Sequence, residues 1–250
     1  MLTDITTIWR RELLKFFADP SHVVINLLSP IIIIFLVGLS LNDVVKLPGV
    51  GSGYFGFFGP GLIAVAAIGS SMQVGFSLIR DREGAIGNVL VAPITRSSIL
   101  LGKMLAELTE QGVTFLLALV IFLVANHVAL YGALISIPIV GLIVLGFSSI
   151  GIVAASIFYS TKAYNSFLTF VVSPLIFVSG AFFPLQDVPS ALQYLSMVNP
   201  LTYGVDAVRT SVFSAGTFGL PTDLAVLVPF ALGSFALALW LFSRREVKLW

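Results

Sequence analysis

Three groups of polar residues in this sequence have types and spacings that could support chemistry. The charged run Arg80–Glu83 precedes a long apolar stretch and is typical of a docking surface. Glu107 and Glu110 lie in an apolar segment, where an acid could bind a cation or a proton. The segment Asn199–Arg209 has the start signals of a helix with a polar side. We find no His/Glu metal motif or nucleophile elbow, so these groups indicate binding rather than covalent catalysis.

Several kinds of chemistry are excluded by composition. The chain has no Cys, which rules out disulfides and thiolate catalysis. Its two His residues, His22 and His127, lie far apart in the sequence and leave little material for a metal site. The net charge of +1 gives no basic field for nucleic acid. The pair Gly102-Lys103 lacks the other residues of the phosphate-binding pattern G-x-x-x-x-G-K-[ST]. We therefore expect no ATP hydrolysis and no cofactor bound by this chain.

The elements that position these groups are predicted by hydropathy. Hydrophobic residues make up 58% of the chain and charged residues 10%, and the mean hydropathy is +1.05. Soluble proteins have about 45–50% apolar and about 25% charged residues, so the composition predicts an all-α polytopic membrane protein. A helix needs about 20 apolar residues to cross a bilayer. Six windows meet this requirement: about 22–41, 55–79, 106–125, 133–158, 164–183 and 223–242.

The orientation follows from the basic residues. With both termini in the cytoplasm, 11 of the 13 Lys and Arg residues fall in cytoplasmic segments, and only Lys46 and Arg209 fall outside. The positive-inside rule favours this topology over its inverse. We expect a multi-pass protein of the plasma (inner) membrane with both termini inside.

Residues 2–17 have the pattern of an amphipathic helix. Arg10 and Arg11 occupy polar positions between the residues of its apolar side, which are Leu2, Ile5, Trp9, Leu13 and Phe16. Such a helix lies in the headgroup plane, and Asp19-Pro20 predicts its end. The alternative is a flexible basic tail that only sets the topology.

The segment 80–103 is too long for a turn and is predicted to be a cytoplasmic loop. Thr95 is a candidate cap for a new helix within it. Charges followed by an apolar flank indicate a docking surface, and an interfacial connector without a partner is the alternative.

The segment 184–222 predicts a helical hairpin half-sunk into the outer leaflet. Asn199 is a candidate N-cap and Pro200 takes the first helical position. Asp206 and Arg209 are three residues apart and can pair on the polar side of the helix.

Two further patterns leave alternatives open. Ala67, Ser71 and Gly75 repeat at helical spacing, as do Gly151 and Ala155, which favours helix packing within one chain over a dimer seam. Glu107 and Glu110 fit a solvated helix end, in which Lys103 pairs with Glu107, or a site for a cationic substrate or a proton.

Four ordered features resemble the permeases of ABC type-2 exporters. They are the start RRELLKFFADP, six spans, the run REGAIGNVLVAPITRSSILLGK, and an outer segment with the pattern P-L…NP-LTY…D…R. In that family the third feature, the run between the second and third spans, is a coupling element that contacts a separate ATPase subunit. The outer segment forms re-entrant helices that cap the pathway. The resemblance assigns coupling to Arg80, Asp81, Arg82, Glu83, Gly84, Pro93 and Arg96. It assigns a gate helix to Trp9, Arg10, Arg11 and Phe16, and an outer gate to Asn199, Pro200, Tyr203, Asp206 and Arg209.

The resemblance also implies partners and cargo. We expect two copies of a cytoplasmic ATPase that hold ATP and Mg, a second copy of this permease or a paralogue, and surrounding membrane lipids. The expected cargo is an amphipathic small molecule (a drug or antibiotic) or a lipid. A polysaccharide or lipo-oligosaccharide is the alternative within the family, and an ATP-independent channel or secondary transporter is the alternative outside it.

Overall fold

The computed structural model describes residues 2–42, 44–45, 53–83, 95–126 and 130–244. Within these ranges the regular elements are all helical, as predicted, and no strand is present. The α-helices are α1 (Leu2–Ala18), α2 (Pro20–Asn42), α3 (Gly53–Ser71), α4 (Gln73–Glu83), α5 (Arg96–Asn126), α6 (Leu130–Ile157), α7 (Thr161–Phe167), α8 (Ser173–Val178), α9 (Ser190–Val198), α10 (Pro200–Phe213) and α11 (Leu220–Arg244). A π-helical turn, Leu168–Val172, joins α7 to α8, and a short 3-10 helix covers Leu185–Asp187.

Six helical segments in the described ranges are long and apolar enough to cross a membrane. The first span is α2, the second is α3 with α4, and the third is α5. The fourth is α6, the fifth runs from α7 to α8, and the sixth is α11. The chain reverses after each span. Helix α1, the C-terminal end of α4 and the start of α5 therefore lie at the same end of the bundle. We call this the α1 end, and the opposite end, which carries α9 and α10, the hairpin end.

Two span boundaries differ from the predicted ones. The third span begins at Arg96 rather than near 106, because its charged side chains find partners or burial within the bundle. The segment predicted as a loop, 80–103, is therefore helical at both of its ends. The fifth span ends at Val178 rather than 183, and Gly180 then adopts a left-handed φ of 75° that glycine tolerates best.

The second span is interrupted at Met72, between α3 and α4. The buried Tyr164 of the fifth span donates its hydroxyl to the Met72 carbonyl at 2.8 Å and to the Gly151 carbonyl at 3.4 Å. The Met72 carbonyl also accepts from the Gly75 N–H at 3.2 Å, so the interruption is satisfied by a backbone donor and a side-chain donor. Tyr164 therefore joins the interruption to the fourth span.

The small residues of the second and fourth spans pack within the chain, as predicted. A Cβ atom at Gly75 would lie 2.6 Å from Tyr164 Cζ and still closer to Tyr164 Oη and the Gly151 carbonyl. Only glycine at this position allows α4 and α6 to approach so closely.

Replacing Gly75 with alanine is therefore expected to lower the stability of the chain by about 1–3 kcal/mol, because the added methyl group overpacks the contact. Thermal unfolding of the full-length protein in nanodiscs measures the change. Gly141→Ala is the matched control, since a Cβ there meets no atom within 4 Å. Equal melting temperatures for the two variants would contradict the close packing at Gly75.

The fourth span is the centre of the bundle, in contact with α3, α4, α5, α10 and α11. The first and fifth spans lie at the periphery, and only 12% and 11% of their most apolar windows are buried. Helix α10 is enclosed by the second, fourth and sixth spans, and every residue from Leu201 to Arg209 is buried. The predicted half-exposed helix with a polar side is thus wrong for this element, which is part of the core.

Candidate functional site

Helix α1 packs along the third span, at the α1 end of the bundle. Ile5, Ile8 and Phe16 are buried, while Leu2, also expected on the apolar side, is 79% exposed. Trp9 donates its indole N–H to the Thr109 hydroxyl at 3.0 Å. Residues 2–18 therefore form a packed helix rather than a flexible tail, and this helix ends just before Asp19-Pro20, as predicted.

A buried lysine connects α1 to the second and third spans. Lys103 is 3% exposed, and its Nζ lies 2.7 Å from an Asp81 carboxylate oxygen and 3.4 Å from Glu12 Oε1. It also donates a hydrogen bond to the Ser77 hydroxyl. We call these four residues the Lys103 cluster. A buried charge needs partners of opposite sign, and the cluster provides two from two different helices.

Two cations of α1 lie at the edge of this cluster. Lys15 contacts Glu12 at 3.1 Å and Asp81 at 3.9 Å, and Arg11 lies 3.2 Å from Glu12 and 4.0 Å from Asp81. Arg10 is exposed. The Lys103 cluster, together with Lys15 and Arg11, thus holds α1 against the C-terminal end of α4 by charge as well as by apolar packing.

The residues predicted to couple to a partner are divided between two environments. Asp81 belongs to the Lys103 cluster, and Arg82 donates from Nη1 to the Ala155 carbonyl at 2.7 Å, so both bind their own chain. Arg80 is exposed, with its guanidinium 5.8 Å from the centre of the Phe76 ring. Glu83 ends α4 and Arg96 begins α5. Gly84 and Pro93 lie outside the described residues.

A cavity of about 410 Å³ lies between α1, α4 and α5, and we call it the inner cavity. Five carboxylates and three cationic side chains line it, together with polar and apolar residues. The lining residues are Glu12, Lys15, Phe16, Asp19, Gln73, Val74, Ser77, Arg80, Asp81, Lys103, Ala106, Glu107 and Glu110. The two acids singled out from the sequence thus share one cavity with the Lys103 cluster.

Glu107 does not have the surroundings of a solvated helix end, the first of its two predicted alternatives. It is 7% exposed, so it is not at a solvated helix end, and its Oε1 has no hydrogen-bond partner. Lys103 does not pair with it, because side chains lean toward the helix N-terminus and Lys103 reaches back to Asp81. Glu110, one turn further on, is partly exposed.

The start of α10 at the hairpin end is the one that the sequence predicts. The Asn199 side chain accepts from the backbone N–H of Leu201 at 3.0 Å, and Pro200 takes the first helical position. Asn199 also donates to the Leu175 carbonyl of the fifth span at 2.8 Å. The Tyr203 hydroxyl donates to the Met197 carbonyl at 2.7 Å, which closes the turn between α9 and α10.

Arg209 is the buried cation of the hairpin end, only 4% exposed. It donates from Nε to the Phe57 carbonyl at 3.3 Å and from Nη2 to the Gly180 carbonyl at 3.0 Å, and its guanidinium stacks 3.8 Å from the Phe57 ring centre. Burial lowers the pKa of Arg209 to about 10, and the negative charge of Asp206 opposes this shift. Arg209 therefore remains a cation at neutral pH.

The predicted ion pair between Asp206 and Arg209 does not form. Asp206 instead accepts hydrogen bonds from the backbone N–H groups of Thr217 and Phe218, at 2.8–2.9 Å. Because α10 is buried on all sides, each charged group is satisfied by the backbone segment that it faces. Asp206 fixes the connection to the sixth span, and Arg209 fixes α10 to the second and fifth spans.

Three residues of the sites were not identified from the sequence. Lys103 is the centre of an ion-pair cluster and Tyr164 is a hydroxyl donor. Both roles depend on contacts between segments that are distant in the sequence, and no local pattern indicates them. Asp223 is fully buried in the first turn of the sixth span, with no hydrogen-bond partner for either oxygen. A single acid in an otherwise apolar span was an available signal for Asp223.

Six apolar helices around a buried core, with a packed amphipathic helix at one end, define a multi-pass membrane protein. The family model described as ABC-2 type transporter matches residues 3–213. The chain belongs to this family, as the sequence motifs predict.

Three relatives illustrate the likeness over nearly the whole length. Nodulation protein J of Rhizobium leguminosarum bv. viciae is 26% identical, with 96% of this chain and 94% of that protein covered. Nodulation protein J of Rhizobium meliloti (strain 1021) is 24% identical, with coverage of 95% and 92%. The putative transport permease ycf38 of Cyanophora paradoxa is 26% identical, with coverage of 91% and 85%. This chain is a transport permease of the same type.

Proposed function

We propose that this permease exports its cargo with energy from ATP hydrolysed by a separate cytoplasmic ATPase. The observation that carries the proposal is the Lys103 cluster, which joins α1, α4 and α5 into one unit beside the charged run Arg80–Glu83. A force applied at the close of α4 reaches α1 and the third span through buried, directional contacts. In this proposal the α1 end is cytoplasmic, both termini are inside, and the protein lies in the plasma membrane.

Arg80 is the side chain that best fits contact with the ATPase. Asp81 and Arg82 bind groups of their own chain, whereas Arg80 is exposed at the last turn of α4. Two ATPase copies would hold ATP and Mg, and their closure on ATP would move the coupling element. Trp9 and Phe16 would carry that movement along the gate helix, α1.

Two permease copies, or this chain with a paralogue, would enclose the pathway. The first and fifth spans leave most of their apolar surface outside the bundle, where a second copy or lipid can cover it. In the proposed cycle the interface formed by the first, second and fifth spans opens outward. The hairpin end, held by Asn199 and Arg209, forms the lid.

The cargo that we propose is a polysaccharide or lipo-oligosaccharide. The likeness to the nodulation proteins favours this alternative over the drug, antibiotic or simple lipid that we expected first from the sequence. A bundle whose peripheral spans face lipid also suits a cargo with an apolar portion.

Charge reversal at Arg80 tests the coupling. We expect Arg80→Glu to reduce recovery of the ATPase with the tagged permease about tenfold, because an exposed interface cation is reversed. Pull-down from native membranes in mild detergent, followed by mass spectrometry, measures the recovery. Lys162→Glu, the same reversal at an exposed position of the same end, is the control and is expected to retain the ATPase.

Two results would count against this function. Full ATPase recovery with Arg80→Glu would remove Arg80 from the interface. Absence of any ATPase with the unmodified protein, together with transport in liposomes, would favour an ATP-independent channel or secondary transporter.

A further inference from the structure

The inner cavity contains a buried carboxyl group, that of Glu107, with one oxygen that has no hydrogen-bond partner. Glu107 is 93% buried, since only 7% of it is exposed, and its Oε1 accepts no hydrogen bond. A buried carboxylate is unfavourable unless a cation or hydrogen-bond donors compensate it. The cavity beside Glu107 therefore has room for a ligand that donates a hydrogen bond to Oε1.

The cations already present in the inner cavity are engaged elsewhere. Lys103 is bound to Asp81 and Glu12, and Lys15 lies at the edge of the same cluster. Arg80 lies over the Phe76 ring. The carboxylates of the cavity outnumber its cations by five to three, so the field inside it favours a positive ligand.

The volume and the lining of the cavity indicate which kind of cation it would bind. Its volume of about 410 Å³ lies within the range of roughly 300–1,000 Å³ typical of pockets for small organic ligands. Phe16, Val74 and Ala106 give it an apolar lining next to the acids. Among the described residues no three acidic or His side chains converge closely enough to hold a metal ion. The arrangement suits an ammonium group on an apolar body.

We propose that the inner cavity is a binding site for an amphipathic organic amine in its protonated form, with Glu107 as the counter-ion. The ammonium group lies against Glu107 Oε1, and the apolar body lies along Phe16, Val74 and Ala106. Because α1 forms one wall, ligand binding also ties the gate helix to the third span. The site requires neither ATP nor the ATPase, so it goes beyond the export function and is tested independently of it.

The test uses the full-length permease in nanodiscs and two probes with one carbon skeleton, 2-phenylethylamine and the neutral 2-phenylethanol. Isothermal titration at neutral pH, where the amine is protonated, is expected to give binding of the amine at least about tenfold tighter than that of the alcohol. The Glu107→Gln variant keeps the side-chain shape without the charge, and we expect it to abolish this preference.

Two further variants make the result specific. Asp187→Asn removes one negative charge at the hairpin end, outside the inner cavity, and is expected to leave amine binding unchanged. Ala106→Leu keeps Glu107 but narrows the cavity, and is expected to weaken amine binding about tenfold. Absence of amine binding by the unmodified protein, equal binding by Glu107→Gln, or undiminished binding by Ala106→Leu would each overturn the proposed site. Loss of ATPase recovery bears only on the export function.

Discussion

Replacing Lys103 with methionine is expected to destabilise the permease by about 3–5 kcal/mol, one of the two largest effects that we anticipate. The substitution keeps the side-chain length but leaves Asp81 and Glu12 without their buried partner. Removing one member of a buried ion pair costs about this much. Only the more exposed Lys15 and Arg11 then remain beside the two acids. For a chain of this size the apparent Tm in nanodiscs should fall by about 10 °C.

The matched control and a double variant separate this cluster from a general effect of charge. Lys162→Met removes an exposed lysine and should leave the Tm nearly unchanged. Adding Asp81→Asn to Lys103→Met should cost less than the sum of the two single changes, since the pair is then removed together. Additive costs would show that the two residues do not interact.

Replacing Arg209 with methionine is expected to have the second large effect, a loss of about 3–5 kcal/mol in the free energy of unfolding. The change removes the hydrogen bonds that Arg209 donates to the Phe57 and Gly180 carbonyls inside the bundle, and it removes the stacking on Phe57. Amide hydrogen exchange of residues 200–213 should become roughly a hundredfold faster if about 3 kcal/mol of this loss falls on α10.

The conservative variant and a surface control sharpen the second prediction. Arg209→Lys keeps the charge but cannot supply the planar fork that reaches two carbonyls, so its exchange rate should fall between those of the unmodified protein and Arg209→Met. Arg10→Met removes an exposed arginine at the α1 end and should not affect exchange in α10. Unchanged exchange in Arg209→Met would mean that these two bonds do not hold the helix.

The spans and the helix starts were predictable because they depend on local or compositional signals. Apolar runs of about 20 residues mark the six spans, and Asn199-Pro200 marks the first turn of α10 whatever surrounds it. The amphipathic pattern of residues 2–17 likewise identifies α1. The difference is that Ile8 is buried, whereas Leu2 was expected on the apolar side.

The partners of the charged residues were not predictable, because they depend on which segments meet. Lys103 has Glu107 one turn away in sequence but Asp81 and Glu12 in space. Asp206 and Arg209 have the spacing of a helical pair, yet each binds the backbone of another segment. A prediction from local spacing assumes that one side of the helix faces solvent. That assumption fails for α10, which three spans enclose.

The enclosure of α10 also limits the order in which the protein can be made. Its walls are the second, fourth and sixth spans, and the sixth follows it in the chain. During synthesis α10 therefore cannot complete its burial until α11 has left the ribosome and entered the membrane. Until then one wall of α10 is missing, although the hydrogen-bond partners of Asp206 and Arg209 all precede the sixth span. Burial of α10 is thus completed late in synthesis, and truncations that remove the sixth span should leave this helix open to quality-control proteases.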